Sequence, residues 1–370
     1  MHRPHSYRPV LLSFNGAAPA LRGGAALLAA LCAASLWPSA VLAAPTLRKQ
    51  VDLRGNFVLF GATLAQECEA GAPVPLLGTI GSCPNDNMYA PDIYWRADDP
   101  SDGVARADAN ITAENARATS VLVLPADAVI SYARLYWGGL LASNTRDMSV
   151  QLQRVEGAID VAVTADDSVS LAQADSPGFF FYQSTADVTE LVKMHGPGAY
   201  RIAGLSSTLS GADRGAVAAW YMVVFYEKPG EPSRNLAIFD SLEYVDPDNP
   251  ISVTLSGFIV PAVGFDATLG VVAYEGENQL TGDAISFNGT ALTNAGNPAD
   301  NFFNATRSLL ACRSRRPGTC PSSPERLAAT ATSTWTSSTS RRASRAATPA
   351  RRSRPARSGP GSWTRTTSTC

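Results

Sequence analysis

Lysine is nearly missing from this 370-residue chain: Lys49, Lys193 and Lys228 are its only three. Histidine is as scarce, and His195 is the only one beyond residue 43. A nucleophilic triad needs a base held against its Ser or Cys. The single body histidine lies in a His195-Gly196-Pro197-Gly198 turn, and no Gly-x-Ser-x-Gly elbow occurs. Structural zinc is disfavoured too, because there is no Cys-x-x-Cys pair and no second histidine to complete a ligand set. The longest N-terminal apolar run, Gly24 to Trp37, is shorter than the ~20 residues that span a bilayer.

Acidic residues are absent from residues 1–43. That segment carries His2, Arg3, His5, Arg8 and Arg22, then the Ala/Leu-rich run, then a Pro38-Ser39 break. Val41-Leu42-Ala43 supplies small or modest side chains at the −3 and −1 positions of a cleavage site. Residues 1–43 are therefore expected to be a secretory signal peptide, cut between Ala43 and Ala44. A lipid anchor on Cys32 is disfavoured by Leu31, where that signal requires Gly, Ala or Ser. Export permits disulfides. Cys68 and Cys83, with 14 residues between them in a Gly/Pro-rich stretch, are the expected pair. Closing so short a loop contributes ~3 kcal/mol in the chain-entropy model.

The net charge of −2 conceals a split. From Ala44 to Leu310 there are 15 Lys+Arg against 31 Asp+Glu, a net of −16. From Ala311 to Cys370 there are 12 Arg and one acid, Glu325. This tail lacks Val, Ile, Phe, Tyr and Asp and shows no period of 2 or 3.6. Such a composition buries too little apolar surface to offset its ordering entropy, so residues 311–370 are expected to be disordered. The abrupt switch reads as out-of-frame translation of a GC-rich gene, with a basic arm for anionic polymers as the competing reading.

The body reads as strands. Ala118 to Leu124, Val129 to Trp137, Met148 to Val155, Ile159 to Val163 and Phe179 to Gln183 are β-branched, aromatic or alternating, and turn residues separate them. Gly215 to Tyr226 is apolar on both faces, which places it centrally, with Arg234 to Phe239 as a hairpin partner. Ile251 to Phe258 alternates cleanly, and Thr268 to Glu275 follows it. Asn288-Gly289 is a strong hairpin turn between Asp283 to Phe287 and Thr290 to Leu292. Ala186 to Met194 is the one helix candidate, capped by Thr185 or Asp187 and stopped at Gly196. The expected fold is all-β: a large antiparallel, jelly-roll-like β-sandwich of one or two lobes with one short helix. Residues 118–310 form the sandwich, and residues 44–117 form a loop-rich segment with its first strands.

Two acid-based chemistries remain. Glycoside hydrolysis needs two carboxyl groups at a set separation, and Asp240, Glu243, Glu275, Glu277 and Asp283 are the candidates. Calcium takes six to eight oxygens. Glu275, Glu277 and Asp283, in a Gly-hinged acidic loop, are the expected ligands if calcium is a cofactor; Asp246-Pro247-Asp248-Asn249 is a second acidic cluster. No other cofactor is implied, and no catalytic residue is assigned. An acidic body opposes nucleic-acid binding.

Several stretches in order carry a resemblance. They are Ala133-Arg134-Leu135-Tyr136-Trp137-Gly138-Gly139, Ala186-Asp187-Val188-Thr189, Ala219 to Tyr226 with Arg234-Asn235-Leu236, Ser256-Gly257-Phe258, Glu275-Gly276-Glu277 and Asn301-Phe302-Phe303-Asn304. Over residues 118 to 307 the chain resembles the N-terminal β-sandwich domain of large secreted bacterial cell-surface proteins, a domain without assigned activity. The resemblance implies a non-enzymatic, secreted or surface protein in adhesion or envelope structure. Its expected partners are polysaccharide or other envelope components. The alternative is an extracellular carbohydrate-binding module or glycoside hydrolase.

Overall fold

The structure, a computed structural model, describes residues 45–67, 93–99, 104–107, 110–154, 159–173, 177–209, 216–245, 250–258, 266–274, 281–294 and 297–304. It also describes the strand segments 7–8, 79–80, 307–309 and 329–336. The chain divides into two units, residues 1–337 and 338–370, and every described residue lies in the first.

In chain order the first strands are β1 (Tyr7–Arg8), β2 (Thr46–Thr63), β3 (Ala65–Glu67), β4 (Thr79–Ile80), β5 (Ile93–Asp99), β6 (Val104–Ala107), β7 (Arg117–Leu122) and β8 (Val129–Leu141). Next come β9 (Ser149–Arg154), β10 (Ile159–Thr164), β11 (Asp167–Ala172), β12 (Phe180–Asp187), the helix α1 (Thr189–His195) and β13 (Gly198–Ala203). The chain continues through β14 (Ala218–Glu227), β15 (Ser233–Asp240), β16 (Glu243–Tyr244), β17 (Asp266–Ala273), β18 (Ser286–Phe287) and β19 (Thr290–Ala291). The last two are β20 (Arg307–Leu309) and β21 (Ala329–Thr336).

The fold is all-β and sandwich-like, as the turn-punctuated apolar runs imply. One sheet runs β10-β9-β13-β7-β5-β6-β4, with β3 added on β5. The second runs β11-β12-β8-β14-β2-β15. Between them lies the main core: Phe60, Leu135, Trp137, Trp220, Met222 and Val224 from one sheet meet Ala118, Leu122, Leu152, Tyr200 and Ile202 from the other, with Leu64 of the β2–β3 link beside them. Trp137 and Trp220 are fully buried. Each takes roughly 200 Å² out of water, on the order of 5 kcal/mol.

The second sheet is covered on its other face as well. Tyr132, Tyr136, Tyr221, Val223 and Phe225 pack there with Leu236 and Ile238 of β15 and Val272 of β17. This double burial explains why β14 is apolar at every position from Ala218 to Tyr226.

β2 makes this possible. Its C-terminal half, Gly55 to Thr63, pairs with β14, and its N-terminal half, Thr46 to Arg54, pairs with β15. Two glycines permit the close approach to β14. A Cβ on Gly55 would lie 1.8 Å from the Tyr226 carbonyl oxygen, and one on Gly61 would lie 2.2 Å from that of Trp220.

Several expectations are corrected. β15 pairs with β2 and not with β14, because both edges of β14 are already taken by β2 and β8. Residues 251–258 form no ladder. Their alternation is real in burial, since Val253, Leu255 and Phe258 pack on Phe239, Leu269, Val271 and Phe303. The helix is shorter than Ala186 to Met194, because β12 continues to Asp187. The Asp187 carboxylate still accepts the Thr189 N–H at 2.9 Å. Within residues 311–370 only 329–336 are described, and they pair with β17 as β21. That stretch is rich in Thr, which favours strands. Other features hold: β9 and β10 form the expected antiparallel pair. Asn288 and Gly289 both have positive φ, 48° and 75°, in the β18–β19 hairpin.

Gly61→Ala forces Cβ onto a backbone oxygen that cannot rotate away. Urea unfolding is expected to show a loss of about 1–3 kcal/mol. Gly270→Ala, whose Cβ meets side chains, the Phe57 ring at 3.2 Å and Leu59 Cδ2 at 3.4 Å, serves as the mild comparison. Equal losses in the two variants refute the close-approach account of β2.

Candidate functional site

The chemistry-bearing side chains converge where the second sheet curls shut. Asp240 ends β15, three ladder steps from β8, yet its carboxylate accepts the Tyr136 hydroxyl of β8 at 2.8 Å. Arg48 of β2 donates its Nε to the same Asp240 at 2.8 Å and its Nη2 to Asp167 of β11. β11 and β15 are the two outer strands of this sheet. One guanidinium therefore joins opposite edges of one sheet, which closes it into a half-barrel.

Around this clasp the polar groups are bonded to one another. Tyr136 stacks on Tyr221 with centroids 4.6 Å apart and planes 10° from parallel. The Tyr221 hydroxyl donates to Gln183 at 3.0 Å, and Gln183 donates to the Ser241 carbonyl at 3.3 Å. Arg134 forms a two-pronged pair with Asp166, which also accepts the Asp187 N–H at 2.9 Å. Arg134 also lies 5.9 Å from the Tyr136 ring centroid.

These environments shift the ionisable groups in consistent directions. Burial pushes the Tyr136 phenol well up, and the Asp240 carboxylate beside it adds to the effect. Burial likewise holds Tyr221 well above the usual phenol range. The Arg48 hydrogen bond is the main reason that Asp167 lies below the ordinary carboxylate range. Burial works against the Arg48 charge, but its hydrogen bonds to Asp240 and Asp167 outweigh it and raise the pKa. Burial raises Glu243, and the Ser241 hydroxyl opposes that shift.

Comparison with protein-family models, curated proteins and solved structures finds no match. The site is therefore read from its own geometry.

The acids named from the sequence fall into separate places. Asp240 and Glu243 are both buried at the closing edge. Asp240 is engaged by Arg48 and Tyr136. Asp283 lies elsewhere, bridged to Asn301, with its carboxylate accepting the Phe303 N–H at 2.8 Å. Nearby Asn297 donates to the Phe302 carbonyl at 2.7 Å. These donors organise the loop's own backbone. No cluster of three His, Cys, Asp or Glu suited to a metal occurs among the described residues. Glu275, Glu277, Asp246, Asp248, Cys68, Cys83, Ala43 and Ala44 lie outside the described residues. His195 ends α1, and its side chain makes no hydrogen bond or ion pair among the described residues. Among the described residues no helix is long and apolar enough to cross a membrane.

Sequence reasoning passed over Arg48, Asp166 and Asp167. The available signal was Arg134, a lone charge inside the otherwise apolar strand Val129 to Leu141.

Arg48→Gln leaves Asp240 buried without its cation. The expected loss is about 3 kcal/mol by urea unfolding at neutral pH. The variant should also lose part of the acid limb. A carboxylate whose folded pKa is depressed stabilises above its unfolded value, near 3.8 for Asp167, and that contribution fades as pH falls through the lower folded value. A midpoint and acid limb identical to wild type contradict the clasp.

Proposed function

We propose that this chain is a secreted or cell-surface β-sandwich that serves adhesion or envelope structure without catalysing a reaction. One observation carries the reading: the side chains best suited to chemistry bond to one another to hold sheet edges together. Asp240, Tyr136, Arg48 and Asp167 are engaged in the clasp, and Arg134 and Asp166 in the pair beside it. Such a closed network favours a rigid scaffold that presents its outer surfaces. The export component rests on the leader pattern of residues 1–43.

A carbohydrate-active reading is the second. Asp240 and Glu243 are two buried acids close in sequence but in unlike environments, one against a guanidinium and one raised by burial. Acid and base roles call for two carboxyl groups in unlike environments, with Glu243, raised by burial, as the acid.

Fractionation of cells expressing the full chain, with N-terminal sequencing of the product, tests the first reading. The expected product begins at Ala44 and is labelled by a membrane-impermeant reagent. Cytoplasmic product with an intact leader overturns it. Polysaccharide hydrolysis abolished by Glu243→Gln moves the assignment to the second reading.

A further inference from the structure

The outward face of the first sheet carries two arginines that form no ion pair among the described residues; the Asp98 carboxylate, which accepts the Thr119 N–H at 2.9 Å, is paired with Arg96. Ala118, Tyr200, Ile202 and Leu152 point into the core. Strand alternation therefore turns Arg117, Thr119, Arg201, Gln151 and Gln153 the other way. Arg201 pairs in register with Thr119 on one side and Gln153 on the other, while Arg117 pairs with Ala203. Arg117 and Arg201 are thus diagonal neighbours on adjacent strands, a separation of ~7–8 Å that long side chains bridge.

Both guanidiniums are held in place by neutral groups. Arg117 Nη1 donates to the carbonyls of Glu114 and Ala116 at 2.7 and 2.8 Å. Arg201 donates to Gln153 Oε1 at 2.8 Å and to the Asp98 carbonyl at 3.2 Å. Neither forms an ion pair among the described residues, unlike Arg48, Arg96, Arg134 and Arg234; Arg146 and Arg154 also bond carbonyl oxygens, but Arg117 and Arg201 are the two that sit on one face as diagonal neighbours. Asp160 shares this face but is separated from Arg201 by Gln153 in the cross-strand row. Burial lowers Arg117, and the like charge of Arg201 lowers it further, with Asp160 acting in the opposite sense.

Thr119 adds an independent observation. It lies directly across from Arg201 and two residues from Arg117 on the same face. It is only 9% exposed, and its hydroxyl has no hydrogen-bond partner among the described residues. A buried hydroxyl without a partner is costly unless something else completes it. Two fixed guanidiniums beside such a hydroxyl form a receptor for a planar anion, since Arg binds carboxylates through paired N–H bonds.

We propose that Arg117, Arg201 and Thr119 bind the carboxylates of an acidic polysaccharide, with the Gln151 and Gln153 amides meeting its hydroxyls. The proposal rests on the envelope reading above for its choice of polymer. The body's net charge of −16 opposes any polyanion at long range, uronates included, so short-range contacts with the two arginines have to carry the binding. A uronate chain spaces one charge per sugar, which suits a two-arginine site on a flat face.

The test uses the purified full chain and polygalacturonate, measured by calorimetry at low and physiological salt. Fully methyl-esterified polymer is the uncharged counterpart. Binding is expected to polygalacturonate, and to weaken about tenfold or more on esterification or in Arg117→Gln/Arg201→Gln. Thr119→Val should weaken binding while leaving the thermal midpoint equal or higher, which a merely structural Thr119 would not do. If the double Gln variant melts early, Arg117→Lys/Arg201→Lys replaces it: charge without the planar fork should still weaken binding. Arg146→Gln, an exposed arginine bonded to the Ser168 carbonyl, should change nothing. No binding to polygalacturonate, equal binding to its ester, or equal loss in the Arg146 variant overturns the site. Binding by the purified chain is independent of where cells place it, so failure here and failure of the export reading are separately visible.

Discussion

Opposite edges of a six-stranded sheet come together at a single guanidinium. Arg48 reaches Asp167 on one outer strand and Asp240 on the other, and Tyr136 ties Asp240 back to the middle of the sheet. An ion pair on an exposed surface contributes little, because water and salt screen it. This one differs in having one partner, Asp240, at 4% side-chain exposure. Removing Arg48 would strand that charge, which penalises every arrangement in which the sheet opens. The clasp gives the curl a unique closed position; the stacked tyrosines, β15 and the β17 layer all depend on that position.

The curl also needs a strand that can change partners midway, and β2 supplies it over 18 residues. Where it leaves β14 for β15, Gly55 removes the side chain that would strike the Tyr226 carbonyl. The two halves differ accordingly. Phe57 to Thr63 contributes Phe60 and Ala62 to the main core, while Thr46 to Arg54 alternates exposed and half-buried positions. Backbone geometry and side-chain chemistry thus act in series: the glycines let β2 cross the sheet, and Arg48 near its start locks the result.

The same division explains what could be read from the sequence. Gly215 to Tyr226 is legible because double burial leaves no polar position, and the β9–β10 hairpin is legible because its partners are neighbours in sequence. The N-terminal half of β2 is not, because Arg48, Lys49, Asp52 and Arg54 make it look like a loop. Residues 251–258 mislead in the other direction, since alternation reports which side is buried and not whether a ladder forms. The clasp is hidden for a topological reason. Arg48 lies 119 residues from Asp167 and 192 from Asp240, and no local pattern connects them. The acid pair Asp240 and Glu243 could be named from sequence, but not that Asp240 is already held by an arginine and a tyrosine.

Charge placement then separates the inside of the molecule from its outer face. In a body with about twice as many acids as bases, a scarce cation finds a carboxylate wherever one is within reach. Arg48, Arg96, Arg134 and Arg234 follow that expectation. Arg146 and Arg154 bond carbonyl oxygens instead, and so do Arg117 and Arg201, which in addition sit close enough to repel each other. Carbonyl oxygens and an amide hold them there, with the Thr119 hydroxyl unanswered between them. Internal packing gains nothing from two like charges held side by side on a sheet's outer face. An anion arriving from outside would remove the repulsion and complete the hydroxyl at once, which is why the proposed anion site lies on this face and not at the sealed clasp.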